Sequence, residues 1–85
     1  MTNEERNILI KTAELLYSHG YMYAASYIEE AIDGLDLITY ERTGEPLTDD
    51  DMDTIAECLE LCDEHGLYGT GDLLVEIMNG TYTAD

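Results

Sequence analysis

The chain contains very little positive charge. Only three of its 85 residues, Arg6, Lys11 and Arg42, are Lys or Arg, whereas 20 are Asp or Glu, giving a formal net charge of −17. Nucleic-acid phosphates and anionic lipid headgroups repel such a polyanion, which argues against direct nucleic-acid binding and against membrane binding. Strong negative charge instead favours rapid association with a basic protein surface.

The lack of long apolar runs and the small number of cysteines further narrow the class of protein. No apolar run approaches the roughly 18 residues that a membrane-spanning helix needs, and the first residues lack the pattern of a secretory signal. The only two cysteines, Cys58 and Cys62, are four residues apart, and a disulfide between them would strain a helix. We therefore expect a reduced, cytoplasmic protein, located in the host cytoplasm if it is phage-encoded.

Catalytic signatures are also missing. The sequence has no G-x-S-x-G elbow, no P-loop and no dinucleotide fingerprint. Its two histidines each precede a glycine, where they serve a helix end. Hydrophobic residues nevertheless make up 45% of the chain, too many for a disordered acidic tail. We expect one folded domain over residues 1–80 with a frayed tail at 81–85, no enzymatic activity and no cofactor.

Two segments of the chain are related at an offset of 46 residues. Seven of 33 positions are identical when residues 2–34 are aligned with residues 48–80. Chance similarity stays open, but the identical positions fall where local structure demands particular residues. The period is loosely similar to those of HEAT-type and tetratricopeptide hairpins, although the signature positions of those families are absent.

Each copy predicts a helical hairpin. Thr2 and Thr48 are followed three positions later by an acid, the spacing of a capping box at a helix N-terminus. Gly20 and Gly66 suit the left-handed residue that ends a first helix. The predicted fold is all-α, a small bundle of about four helices built from these two hairpins.

The second helices of the two copies are expected to differ in length. In the first copy, apolar residues keep helical spacing past Gly34, which predicts a helix that continues to about Arg42. In the second copy, the helix is predicted to run from an N-cap at Thr70 to Asn79 and Gly80.

The third predicted helix, about Asp49 to Glu64, carries an unusual charge pattern. At 100° per residue, six carboxylates fall within one arc of about 100°. They are Asp49, Asp50, Asp53, Glu57, Glu60 and Glu64. Neighbours at i+3 or i+4 repel by roughly 0.2–0.5 kcal/mol per pair, and no lysine is interleaved to relieve them. The acidity is also uneven, because residues 43–85 hold twelve acids and no base.

The acids, cysteines and histidine in and just after the third predicted helix partly match two kinds of metal site. Acids occupy five ligand positions of an EF-hand loop between Asp49 and Glu60, but Thr54 stands where that loop requires glycine. Cys58, Cys62, His65 and His19 together would supply four zinc ligands, although their spacing is not a standard zinc motif. A capped helix with buried cysteines explains these residues better, and no metal site is predicted.

All seven aromatic residues are tyrosines. Tyrosine is enriched at interfaces because it combines a large apolar ring with a polar tip. Tyr23 falls between the apolar positions of the second helix, so we expect it to be exposed and to join the carboxylates in partner binding. Homodimerisation through the long second helix stays open.

Charge and fold together suggest a function. Carboxylates spaced along a rigid helix approximate the phosphates of a nucleic-acid strand, so the surface can occupy the basic groove of a nucleic-acid-binding protein. In size, acidity and lack of catalytic motifs, the chain resembles in kind the small phage-encoded inhibitors of host defence, including anti-CRISPR proteins and other DNA mimics. The alternative is a structural or adaptor module whose acidity only provides solubility or salt adaptation.

Overall fold

The computed structural model describes residues 1–33 and 38–83. All regular secondary structure in these ranges is helical. The helices are α1 (Asn3–Ser18), α2 (Met22–Ile32), α3 (Asp49–Glu64) and α4 (Tyr68–Asn79). No helix within the described ranges is long and apolar enough to cross a membrane. The all-α prediction is confirmed, and so are both predicted ends of α3.

Capping boxes begin α1 and α3, as the sequence predicts. The Thr2 hydroxyl accepts a hydrogen bond from the Glu5 backbone N–H (3.2 Å), and the Glu5 carboxylate accepts one from the Thr2 N–H (2.8 Å). Thr48 and Asp51 repeat the same reciprocal pair at 3.1 and 2.9 Å. Each box satisfies two N–H groups that have no partner within the helix.

The first helix of each hairpin ends in a left-handed glycine. Gly20 has φ +89° and Gly66 has φ +72°, a region that favours residues without a Cβ atom. The residue after each glycine, Tyr21 or Leu67, donates its backbone N–H to the carbonyl of Leu16 or Cys62 at 2.8 Å. This bond is characteristic of the Schellman motif, and it turns the chain directly into the next helix.

The offset of 46 residues also relates the helix bounds. α1 and α3 correspond at both ends, and α2 and α4 begin at corresponding residues, with α4 one residue longer. The prediction of two related helical hairpins is therefore confirmed. The hairpins join through contacts of α1 with α3 and of α2 with α4, whereas α2 does not contact α3 among the described residues. The four helices thus form a closed ring.

Two predicted boundaries were wrong. α2 ends at Ile32 because Asp33 adopts a left-handed conformation (φ 50°) and donates its N–H back to the last turn; residues 38–42 are not helical. Gly34 lies outside the described residues. Thr70 does not cap α4, which begins two residues earlier at Tyr68, and Thr70 is buried within the helix.

The core draws on all four helices. Leu9 and Leu16 of α1, Ile28 of α2, Ile55 of α3 and Leu74 of α4 are fully buried. Tyr82, in the segment expected to be frayed, packs edge-on against Tyr21 and accepts a hydrogen bond from the Ala24 N–H at 3.2 Å. Residues 84 and 85 of that segment lie outside the described residues.

The linker between the hairpins, described over residues 38–48, packs against the C-terminal end of α1. Tyr40 stacks on Tyr17 with ring centroids 4.8 Å apart, and the Thr43 N–H donates to the Ser18 carbonyl at 2.8 Å. The Tyr17 hydroxyl in turn donates to Glu29 of α2 at 2.8 Å. Partial burial and the Glu29 carboxylate raise the pKa of Tyr17 to about 12.

Alkaline titration should therefore show late ionisation of Tyr17. The unfolded phenol ionises near pH 10, so the folded state favours the neutral form. This contribution to stability is complete below pH 10 and is lost as the pH rises through about 12. The Tyr27 hydroxyl also raises the pKa of Tyr23, so we expect a late step in phenolate absorbance that loses the amplitude of one tyrosine in Tyr17→Phe. Full amplitude in that variant would show that Tyr17 does not contribute to the late step.

Candidate functional site

α3 separates its buried residues from its carboxylates. Ile55, Cys58 and Cys62 are fully buried against the other helices. The six carboxylates of the opposite side, here called the acidic face, are all exposed: Asp49, Asp50, Asp53, Glu57, Glu60 and Glu64. The sequence therefore places all six on one solvent-facing side of a helix that the core holds in place.

The acidic face has no Lys or Arg partner among the residues that the structure describes. Within residues 1–33 and 38–83, no ion pair joins any of its carboxylates to Lys or Arg; the ion pairs there involve histidine, in His19–Asp51 and His65–Glu5. Helix electrostatics explain only the N-terminal acids. Asp49 and Asp50 face the positive end of the helix dipole, whereas Glu60 and Glu64 lie near its negative end, where carboxylates are unfavourable.

The related helix α1 provides an internal comparison. The residues that correspond to the acidic face at an offset of 46 are Asn3, Glu4, Asn7, Lys11, Glu14 and Ser18. This set holds two acids and one base, against six acids and no base on α3. The same helix position in the same fold is therefore compatible with a nearly neutral surface, and the fold does not require the carboxylates of α3.

Reversing one acid of the face should stabilise the protein. Glu57→Lys introduces the residue type that α1 has at this position, Lys11, and turns two repulsive pairs, with Asp53 and Glu60, into attractive ones. Each pair loses a repulsion and gains an attraction, each of roughly 0.2–0.5 kcal/mol, so we expect the free energy of unfolding to rise by about 1 kcal/mol.

Urea denaturation measures this gain, and ~1 M salt should abolish most of it because the screening length falls to about 3 Å. Lys11→Glu is the matched change on α1 and should destabilise the protein. A loss of stability in Glu57→Lys at low salt would show that the carboxylates are not mutually repulsive.

Tyr23 does not lie on the acidic face. It is 42% exposed on α2, which is not a neighbour of α3 in the ring. Its ring packs against that of Tyr27 with centroids 4.9 Å apart, and the two hydroxyls are 2.9 Å apart. The Tyr27 ring also approaches Gly69 at the start of α4. The predicted exposure of Tyr23 is confirmed, but the structure does not bring it together with the carboxylates.

The four residues considered as zinc ligands are not gathered at one point. Cys58 and Cys62 are buried in the core, and the neighbouring Cys62 thiol together with burial raises the pKa of Cys58. His65 lies outside that pair and meets Glu5 of α1. The His19 ring meets the Glu45 carbonyl at 2.8 Å. Residues 49–60 form continuous helix rather than an EF-hand loop.

Each of the two histidines contacts an acid of the other hairpin, which the sequence pattern did not predict. His65 Nε2 of the second hairpin lies 3.0 Å from Glu5 of the first, and His19 of the first lies 3.7 Å from Asp51 of the second. Each histidine follows the last residue of one helix and meets the capping-box acid of the other hairpin, so the two contacts are equivalent at the offset of 46. The identical His-Gly dipeptides are the signal for these contacts in the sequence, although helix capping alone also explains both dipeptides.

A groove of about 610 Å³ lies between α1, the linker and the start of α3. Its cationic lining residue, Lys11, is accompanied by Glu14, Glu41 and Asp51. Because acids outnumber the base, the described lining offers no positively charged pocket for an anionic ligand. The groove therefore does not change the electrostatic character of the surface.

Comparison with known proteins returned no match. No family model fits the sequence, and no curated protein or solved structure is detectably similar to it. The function is therefore argued from the surface of the protein itself.

Proposed function

We propose that the protein is a small inhibitor that acts by nucleic-acid mimicry. Its acidic face would occupy the phosphate-binding surface of a basic nucleic-acid-binding protein and exclude the nucleic acid. The observation that supports this most strongly is the contrast between α3 and α1, which present six acids and a nearly neutral set at equivalent positions. A general adaptation to salt would acidify both helices, whereas a binding surface needs to acidify only one.

The charge spacing supports the same proposal. Residues 49–64 rise about 22 Å along the helix axis, so the six carboxylates supply about one charge per 4 Å. One strand of B-DNA carries a phosphate about every 3.4 Å along its axis. A basic groove that accommodates one strand would thus meet a similar linear charge density.

Rigidity and charge both favour tight binding. Ile55, Cys58 and Cys62 anchor α3 in the core, so its backbone is ordered before association and less entropy is lost on binding. The net charge of −17 accelerates encounter with a cationic partner, to an extent that falls with salt. The mechanism is steric and electrostatic competition, with no chemical reaction.

Capture of partners from a lysate of the native host tests the proposal. The immobilised protein should retain a basic nucleic-acid-binding protein at low salt and release it at high salt, because screening weakens contacts between exposed charges. A partner that stays bound at high salt, or the absence of any basic partner, would return the acidic face to the role of a solvated surface. An inhibitor of this kind would be phage-encoded and act in the cytoplasm of the host, as anti-CRISPR proteins do.

The exposed tyrosines support a second candidate, an adaptor module. Tyr23 and Tyr27 form a ring pair on α2, and Tyr68 on α4 is 66% exposed. Aromatic side chains of this kind anchor protein interfaces, including those of homodimers. Binding through them should be insensitive to salt and to changes in the acidic face, which separates the two candidates in the same capture experiment.

A further inference from the structure

Three potential metal ligands meet where the two hairpins join. One ligand atom each from Glu5, Glu64 and His65 lies within 4.8 Å of the other two, and His65 Nε2 is 3.0 Å from Glu5 Oε2. Glu5 comes from the first turn of α1, whereas Glu64 and His65 come from the end of α3. The fold therefore assembles this cluster from residues 60 positions apart.

The Glu5 side chain and the His65 backbone are both held in place by hydrogen bonds outside the cluster. Glu5 Oε1 accepts the Thr2 backbone N–H at 2.8 Å, which fixes the carboxylate while Oε2 faces the histidine. His65 follows the last residue of α3, and its backbone N–H donates to the Leu61 carbonyl at 3.0 Å. Prior ordering of ligands lowers the entropic cost of binding.

We propose that Glu5, Glu64 and His65 form a binding site for a divalent first-row transition ion, with Zn²⁺ as its probe. In a tetrahedral site with bonds of about 2.0–2.1 Å, neighbouring ligand atoms are about 3.3 Å apart, close to the 3.0 Å between His65 and Glu5. Imidazole favours zinc over magnesium and calcium, which prefer oxygen ligands only. The two carboxylates balance the charge of the ion, and water completes its coordination.

The equivalent position between the hairpins lacks one ligand. At an offset of 46, Asp51, Ser18 and His19 correspond to Glu5, Glu64 and His65, so serine replaces the second carboxylate. His19 Nε2 is also farther from its acid, at 3.7 Å. The protein should therefore bind one ion at the first position and none at the second, whether or not it acts as an inhibitor.

Binding should stabilise the whole bundle. An ion held by Glu5 of one hairpin and by His65 of the other binds only the folded chain, so the midpoint of thermal unfolding should rise with zinc concentration. Occupancy would also remove the charge of Glu64 from the acidic face.

Zinc titration of the full-length chain, at a salt concentration that suppresses diffuse ion binding, tests the site. We expect one Zn²⁺ per chain by calorimetry, a higher thermal midpoint, and neither effect with Mg²⁺. His65→Gln and Glu64→Ser should each abolish stoichiometric binding, and both change exposed side chains. Glu64→Ser also introduces the residue type found at the equivalent position of the first hairpin, Ser18. His19→Gln is the matched control and should bind zinc as the unchanged protein does.

Two results would overturn the proposal. Unaltered stoichiometry in either His65→Gln or Glu64→Ser would show that the changed residue is not a ligand of the ion. Several weakly bound ions whose number falls with salt would show diffuse condensation on the carboxylates. Circular dichroism in the presence of a chelator checks that each variant is folded before zinc is added.

Discussion

Giving α3 the residue types of α1 is expected to weaken partner binding by roughly 5- to 700-fold. The variant combines Asp49→Asn, Asp53→Asn and Glu57→Lys, each taken from the corresponding position of α1. Exposed ion pairs contribute about 0.2–1 kcal/mol each, and the new lysine would repel a basic partner. With a repulsion of similar size from the lysine, these effects amount to about 1–4 kcal/mol, at about 1.4 kcal/mol per tenfold change in affinity.

A control with the same change of net charge separates location from total charge. Glu4→Gln, Glu30→Lys and Asp72→Asn alter exposed residues of α1, α2 and α4 and also raise the net charge by four units. Affinity for the captured partner, measured by calorimetry, should fall modestly in this control. Equal losses in the two variants would mean that only total charge matters. Circular dichroism should show full helicity in both, because every altered side chain is exposed.

Leu74→Ala is expected to have the largest effect on stability, a loss of about 2–5 kcal/mol in the free energy of unfolding. Leu74 is fully buried, and a cavity at its position would remove packing shared by the ring of helices. Small domains are stable by only about 5–15 kcal/mol, so the loss is a large fraction of the total. Val75→Ala, at a 40% exposed neighbour, should cost less than about 1 kcal/mol.

The same variant tests whether the two hairpins unfold together. Four of the seven tyrosines, Tyr17, Tyr21, Tyr23 and Tyr27, lie in the first hairpin, whereas Leu74 lies in the second together with Tyr68. Tyrosine fluorescence, which reports mostly on the first hairpin, and circular dichroism should show one transition, shifted equally by Leu74→Ala. If most of the fluorescence change keeps the midpoint of the unchanged protein, the first hairpin folds by itself.

Local signals in the sequence predicted much of the fold. Thr2 and Thr48 fix the starts of α1 and α3 because their capping boxes involve residues only three positions apart. Gly20 and Gly66 fix the ends of the same helices through a single backbone conformation. The acidic face followed from these bounds, since helical periodicity alone determines which side each carboxylate takes.

The errors arose where tertiary contacts decide the structure. Apolar spacing predicted that α2 continues to Arg42, but Asp33 turns the chain and Tyr40 then stacks on Tyr17 across the end of α1. The residue type of Thr70 predicts a helix cap, but the hydrogen bond from the Leu67 N–H to the Cys62 carbonyl turns the chain so that α4 starts earlier. The proximity of His65 to Glu5 depends on how the hairpins pack, which the repeated His-Gly dipeptides alone do not reveal.

Displacement of nucleic acid from the captured partner tests the central claim most directly. The partner is first bound to a labelled oligonucleotide, and the protein is then titrated in while fluorescence anisotropy and native mass are followed. Mimicry requires complete displacement with one inhibitor per binding site, with an apparent affinity that falls steeply as salt is raised. A stable complex containing partner, oligonucleotide and protein together would contradict it, because the acidic face and the phosphates could not then share one surface.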